Sequence, residues 1–154
     1  MGFGGRFRPE IIPERVYALV KLACYKKLTK NELKSLLIPE NLNTRNDYFN
    51  RVFNFALENS LIKKDTDGYI ISNLDENNLK PANNFRKFMA NKLLTDENST
   101  FFRYTSWYLA QGKKIFEYNS SNQLQKIIKR EDLIHLKKAN LLAWRFWAKF
   151  LGIG

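Results

Sequence analysis

A helix start with two reciprocal capping groups is the feature that most constrains how the N-terminal half of this chain can fold. In the segment Thr29–Glu32, the threonine hydroxyl and the glutamate carboxylate can each satisfy a backbone N–H group that the helix leaves unpaired. A second helix start follows at Asn43-Thr44, and the apolar residues after it recur at helical spacing. The sequence therefore predicts two consecutive helices, the second with one buried face. The residues of that face are Phe49, Val52, Phe53, Ala56 and Leu57.

Two short β-type runs follow the second helix. The helix is predicted to end at Asn59-Ser60, and Leu61–Lys64 and Tyr69–Ser72 then flank an Asp-Gly turn at Asp65–Gly68. This arrangement predicts a β-hairpin. Helix, tight turn, helix and hairpin is the order of a winged helix-turn-helix, whose second helix usually enters the DNA major groove. We therefore expect a winged helix-turn-helix over residues 10–73.

The rest of the chain predicts a helical extension. Residues 1–9 form a Gly-rich basic arm that we expect to be flexible, and the polar stretch Asn73–Asn78 separates the two parts. Helical spacing of apolar residues predicts further helices over residues 79–154, packed on the winged helix, while Lys113–Tyr118 fits either an extended piece or a helix tail. The predicted fold class is mainly α with a small β-hairpin wing, a winged helix-turn-helix plus a C-terminal helical extension.

The chain is strongly basic, with a net charge of +11 and a pI near 9.8. A field of this size favours polyanions, because neutralising phosphates releases condensed counterions. Residues 1–72 hold 12 basic and 8 acidic residues, whereas residues 73–154 hold 14 and 7. The supposed DNA-reading half is thus the less basic one. The C-terminal charge either helps to hold DNA, faces an acidic protein, or reflects a Lys- and Asn-rich composition without a partner.

The outward side of the second helix carries the predicted base contacts. Arg pairs with guanine and Asn with adenine in the major groove. Lysines of the hairpin and of the preceding helix are expected to contact phosphates, and the hairpin also suits the minor groove. Each of these residues could instead be an ordinary solvated surface residue. The predicted DNA-binding residues are Thr44, Arg45, Asn46, Tyr48, Asn50, Arg51, Asn54, Lys63, Lys64, Thr66, Lys30 and Lys34.

The last predicted helix, Asp132–Leu151, is almost wholly apolar after Ala139, and within Leu141–Leu151 only Arg145 and Lys149 interrupt the apolar run. A helix with such a wide apolar face is either buried centrally or covered by another chain. Gly152 is predicted to end it. For the second alternative, the predicted partner interface is Trp144, Phe146, Trp147 and Phe150.

The aromatic group between Phe101 and Tyr108, with basic residues beside it, suggests a stacking platform for single-stranded nucleic acid. Its spacing follows a helix instead, so we expect these rings to form core.

Catalysis finds little support in the sequence. The single cysteine, Cys24, lies on an apolar helical face and is predicted to be a buried structural thiol, and the single histidine, His135, has no catalytic companion nearby. No phosphate-binding glycine loop is present, and Asp65–Gly68 lacks the closing glutamate of a calcium loop. We expect a non-enzymatic, cytoplasmic protein with no cofactor, no metal and no membrane segment.

From Tyr17 to Ser72 the chain resembles the winged-helix superfamily, most closely at Ala56–Lys64, although Ser60 stands where those proteins often have glycine. The tail Trp144–Gly154 resembles a junction in winged-helix proteins of bacterial defence islands, DpdG-like ones among them, in which more chain follows. The resemblance implies a DNA-binding protein that is an accessory subunit or fragment of a larger bacterial assembly. Many winged helices bind protein instead, so a protein-interaction module docking through the C-terminal helix is the alternative.

Overall fold

The computed structural model describes residues 8–38, 47–117, 123, 126 and 138–153. These residues form helices and one two-stranded antiparallel sheet, which confirms the prediction of a mainly α fold with a small β-hairpin. Short 3₁₀ helices occupy Glu76–Asn78 and Gly112–Glu117. The other elements are α1 (Pro13–Tyr25), α2 (Lys30–Leu37), α3 (Asp47–Glu58), β1 (Ile62–Lys64), β2 (Ile70–Ser72), α4 (Ala82–Leu93), α5 (Thr100–Gln111) and α6 (Lys138–Leu151).

The chain divides into two compact units. The N-terminal unit is Glu10–Phe88, and the C-terminal unit is Met89–Gly154 together with Met1–Pro9. The predicted packing of the helical extension on the winged helix stays a prediction. The predicted flexible arm (apart from Arg8 and Pro9), the predicted helix start at Asn43-Thr44, and His135 lie outside the described residues.

Helix α2 begins with the capping box that the sequence predicts. The hydroxyl of Thr29 accepts a hydrogen bond from the backbone N–H of Glu32 at 3.2 Å, and the carboxylate of Glu32 accepts one from the backbone N–H of Thr29 at 2.9 Å. Two N–H groups at the helix start are thereby satisfied.

Helix α3 ends at a residue in the left-handed conformation, Ser60, whose φ is 56°. The N–H of Ser60 donates to the carbonyl of Leu57 at 3.0 Å, and the N–H of Leu61 donates to the carbonyl of Ala56 at 2.8 Å. This pair of bonds is a Schellman motif, which usually has glycine at the left-handed position. The side chain of Leu61 is fully buried just beyond the helix end.

The hairpin is tied to the segment that precedes α2. Strands β1 and β2 pair with Lys63 opposite Ile71, and Leu28 forms a single bridge to Ile70, whose N–H donates to the Leu28 carbonyl at 2.7 Å. The segment before α2 thus adds one bridge to the edge of the hairpin.

The side chain of Asp65 shapes the turn between these strands. It accepts hydrogen bonds from the N–H groups of Asp67 at 3.0 Å and Tyr69 at 2.8 Å. Gly68, with a φ of 90°, takes the left-handed position that closes the turn.

The core of the N-terminal unit is mainly aliphatic and phenylalanine-rich. Tyr17 on α1 holds the segment that follows the hairpin, because its hydroxyl donates to the carbonyl of Leu79 at 2.8 Å and its ring lies 5.1 Å from that of Phe85. Cys24 is only half-buried, so the predicted full burial of this thiol is wrong. The largest buried side chains of this core include Leu19, Leu33, Phe49, Leu61, Ile62, Ile70, Leu79 and Phe85.

The core of the C-terminal unit is aromatic. The ring of Trp144 on α6 meets that of Tyr104 on α5 edge to face at 4.7 Å, and its indole N–H donates to the hydroxyl of Thr105 at 2.9 Å. Burial raises the pKa of the Tyr104 phenol well above its ordinary value, and the neighbouring phenol of Tyr108 adds to the shift. The prediction that the aromatic group of α5 forms core is confirmed by the burial of Phe101, Tyr104 and Trp107.

Gly152, with a φ of 80°, ends α6 in a second Schellman motif, as predicted. Its N–H donates to the carbonyl of Lys149 at 3.2 Å, and the N–H of Ile153 donates to that of Ala148 at 2.8 Å. Of the helices within the described ranges, none has the length and apolar character needed to span a bilayer.

Candidate nucleic-acid interface

The outer face of α3 carries two amide side chains, and Leu57 and Glu58 are exposed near the end of the helix. The prediction that Leu57 lies on the buried face is wrong, since this side chain is 37% exposed. Asn50 and Asn54, one helical turn apart, are both exposed, while the opposite face of the helix is buried. An asparagine amide can donate and accept at once, which is the pattern that the major-groove edge of adenine requires. Of the predicted base contacts, these two are the best placed to meet a partner.

The other predicted base contacts near the start of α3 are either undescribed or less accessible than these two amides. Thr44, Arg45 and Asn46 lie outside the described residues. Tyr48 is half-buried, and the guanidinium of Arg15 lies 4.1 Å from the centre of its ring. Because a cation occupies one ring face, Tyr48 is less accessible to a base than the asparagines are.

Arg51, predicted to reach out to DNA, forms an ion pair with Glu10. The Arg51 side chain is 36% exposed to solvent, so it lies at the margin of the outer face. Glu10 is also held through its backbone carbonyl, which accepts from the guanidinium of Arg15 at 2.9 Å. Within the described part of the chain, the second carboxylate oxygen of Glu10 is buried and has no hydrogen-bond partner. The Glu10 carboxylate offsets the charge of Arg51, so the ion pair weakens the attraction of this side chain to phosphate.

The hairpin exposes two adjacent cations. Lys63 and Lys64 are exposed on β1, and no ion pair joins either of them to another described residue. Thr66 is exposed in the turn. The Asp65 carboxylate lies 3.9 Å from the Lys27 ammonium nitrogen. Asp65 and Asp67 together balance the charges of Lys63 and Lys64, so the hairpin has no net charge. The positive charge is thus local to β1 rather than spread over the hairpin.

Lysines of α2 lie close to α3. The ammonium group of Lys30 lies 4.7 Å from the centre of the Phe53 ring, and Lys30 is otherwise exposed. Lys34 is half-buried. Lys30 is therefore the better placed of the two to contact a phosphate.

One cation of this surface, Lys27, escaped the sequence-based prediction. Leu28 lies opposite Ile70 in an antiparallel bridge, so the preceding residue, Lys27, lies beside Ile71. Lys63 on β1 lies on the other side of Ile71. Lys27 is exposed and weakly paired with Asp65. The signal that could have found it is its position two residues before the capping threonine Thr29, next to a second lysine, Lys26.

The predicted partner interface on α6 is only partly accessible. Trp144 and Trp147 are buried, the latter completely, whereas Phe146 is 41% exposed and Phe150 is half-buried. The two tryptophans are therefore buried within this chain and are not open to a partner. Phe146 lies on the exposed face, whereas the half-buried Phe150 contacts the ring of Trp147 with 5.9 Å between the ring centres.

The fold and this surface define a basic, mainly helical protein that combines amides on one helix with lysines on an adjoining hairpin. The chain belongs to the DpdG-like family, whose model matches residues 8–154. No curated protein and no solved structure matches the chain.

Proposed function

We propose that this protein binds double-stranded DNA through α3 and the hairpin, that it catalyses no reaction, and that it acts as part of a larger bacterial assembly. The single observation that carries the proposal is the exposure of Asn50 and Asn54 on the helix that leads directly into the Lys63–Lys64 strand. This combination places groups that can distinguish bases beside groups that can neutralise phosphates.

The order of elements supports a winged-helix mode of binding. Two helices precede α3, the hairpin follows it, and the segment before α2 bridges to β2. In a winged helix the helix before the hairpin enters the major groove and the hairpin lies against the backbone. On this proposal Asn50 and Asn54 face base edges, while Lys63 and Lys64 face phosphates.

The charge of the chain supports a phosphate partner. A net charge of +11 creates a field that draws the protein towards polyanions, and each contacted phosphate releases counterions. Lys63 and Lys64 need not break any ion pair with another described residue to make such contacts.

The part of the proposal that concerns the assembly rests on a resemblance in the C-terminal segment, and membership of the DpdG-like family agrees with that resemblance. The tail Trp144–Gly154 resembles proteins of bacterial defence islands. A cytoplasmic accessory role beside other subunits agrees with that resemblance.

The test compares two double variants of the full chain. Duplex DNA carrying a fluorophore is titrated with protein at several salt concentrations, and anisotropy gives the dissociation constant. Lys63→Ala with Lys64→Ala should weaken binding and make the log–log salt slope shallower by roughly 2, since each phosphate contributes about 0.9. Asn50→Ala with Asn54→Ala should reduce discrimination between duplex sequences and leave the salt slope nearly unchanged.

The matched control is Lys113→Ala with Lys114→Ala, an adjacent exposed pair in the C-terminal unit that removes the same charge. Equal losses in the two lysine variants would show that binding follows total charge and not this surface. An unaltered protein that does not bind duplex DNA even at low salt would overturn the proposed function.

A further inference from the structure

Helix α6 presents two parallel rows of side chains on its outer face. Leu142 and Phe146 are 42% and 41% exposed and lie one turn apart. Arg145 and Lys149, also one turn apart, are exposed and form a second row directly beside them. Residues four positions apart on a helix lie on the same side, so each row follows the helix axis. The outer face is therefore half apolar and half cationic.

The side chains on the inner face of the same helix are buried against other residues of this chain. Trp147 is completely buried, and Trp144 packs on Tyr104 and donates to Thr105. The outer face consequently contributes little to the core of the C-terminal unit. A leucine and a phenylalanine side by side in water are unfavourable, and such adjoining apolar groups mark interaction surfaces more often than isolated ones do.

The charged residues of α5 and α6 are all cationic. Neither α5 nor α6 contains an aspartate or glutamate, and no ion pair links Arg145 or Lys149 to another residue of the described ranges. A partner that covers the apolar row must place its own groups against these cations. Carboxylates in that position would be attracted, whereas lysines or arginines would be repelled.

We propose that the outer face of α6 docks an acidic amphipathic helix of another protein. The apolar row of that helix packs on Leu142 and Phe146, and its carboxylates lie opposite Arg145 and Lys149. Ridges formed by residues four apart pack readily into the matching grooves of a second helix, which suits two rows of this spacing. The inference goes beyond the proposed DNA binding and does not depend on it.

Two other occupants fit the rows less well. A second copy of α6 would bring Arg145 and Lys149 against identical cations across a two-fold axis. A lipid surface would gain little from this face, because the large interfacial anchors Trp144 and Trp147 are buried inside the chain.

The experiment places the photo-crosslinking amino acid benzoylphenylalanine at position 146 of the full chain, in the organism that encodes it. The control carries the same amino acid at position 25, where Tyr25 is 87% exposed in the N-terminal unit. Mass spectrometry identifies what becomes attached. We expect an adduct at position 146 and not at position 25, with an acidic, helically amphipathic segment of another protein.

That segment, synthesised as a peptide, should bind the purified protein. Arg145→Glu with Lys149→Glu should weaken its affinity about tenfold or more, and replacing its acidic residues by lysine should restore binding to that variant. The proposal is overturned if position 146 gives no specific adduct, or if the adduct is lipid, nucleic acid, a second copy of this chain, or a segment that is not acidic. It is also overturned if charge reversal leaves the peptide affinity unchanged.

Discussion

Helices α3 and α6 are built alike on their inner sides and differently on their outer sides. Both bury bulky apolar residues and both end in a Schellman motif. The outer face of α3 carries Asn50 and Asn54, with Leu57 and Glu58 near its end, whereas that of α6 carries Leu142 and Phe146 beside two cations. Water satisfies the amides of α3 but not the apolar row of α6.

This difference separates two kinds of recognition. Amides that leave water for a base edge exchange one set of hydrogen bonds for another, so they contribute selectivity more than affinity. Apolar groups that leave water gain about 25 cal/mol for each Å² covered, whatever apolar surface covers them. Helix α3 is therefore suited to discriminate between partners, and α6 is suited to hold one.

The largest expected effect tests the division of α6 into an inner and an outer face. Trp147→Ala should lower the free energy of unfolding by about 3–5 kcal/mol, because it leaves a cavity in the aromatic core. Phe146→Ala, its neighbour on the outer face, should cost about 1 kcal/mol or less. Chemical denaturation followed by circular dichroism measures both. Similar losses in the two variants would break the comparison.

A second prediction concerns the aromatic core on which α6 packs, and it depends on pH. The pKa of Tyr104 is raised in the folded state, so the unfolded state loses this proton first as the pH rises. Below about pH 10, the pKa of an unfolded tyrosine, Tyr104 is protonated in both states and its contribution to the free energy of unfolding does not change with pH. Above about pH 10, the free energy of unfolding should fall by about 1.4 kcal/mol per pH unit for this group alone.

Tyr104→Phe removes the titrating group and should flatten this alkaline decline. Thermal melts of the two proteins between pH 9 and 11.5 measure the difference, which cancels the titration of the other tyrosines and the lysines. Parallel curves for the two proteins would show that Tyr104 does not titrate abnormally.

A third prediction concerns a substitution that removes the acidic partner of Arg51 at the margin of α3. Glu10→Gln should release Arg51 from its ion pair and raise the affinity for duplex DNA roughly twofold to fivefold, as expected from the energy of a partly exposed ion pair. The control is Glu14→Gln, which removes the same charge from an exposed position on α1. Equal gains in both variants would attribute the effect to net charge and not to Arg51.

The smallest effects lie at the two helix ends. Ser60 and Gly152 occupy equivalent left-handed positions, and only glycine adopts this conformation without steric cost. Ser60→Gly should stabilise the N-terminal unit, and Gly152→Ser should destabilise the C-terminal unit, each by about 1 kcal/mol or less. Differential scanning calorimetry can resolve both changes. Shifts of the same sign would contradict the equivalence of the two ends.

Local features of the fold were predictable from the sequence because their causes are local. The Thr29 capping box, the turn at Asp65–Gly68 and the cap at Gly152 each depend on a few consecutive residues. The pattern over Lys113–Tyr118 does not distinguish an extended piece from a helix tail, and residues 112–117 form a 3₁₀ helix.

The site was less predictable, because it depends on contacts between distant residues. The pairing of Arg51 with Glu10 joins residues 41 positions apart, and no spacing rule indicates it. The apolar run of α6 showed that the helix is buried or covered, yet it did not separate the inward tryptophans from the outward Phe146. That separation follows from the position of α5, whose Thr105 and Tyr104 receive Trp144.

The contacts of Tyr17 bear on where this chain can be divided for separate study. Its hydroxyl binds the carbonyl of Leu79 and its ring meets Phe85, so the residues after the hairpin complete the surface of α1. A shortened protein ending at Asn73 would leave a tyrosine without its acceptor and an apolar patch open to self-association. One ending at Leu93 would retain the acceptor, Phe85 and the whole of the helix that carries it.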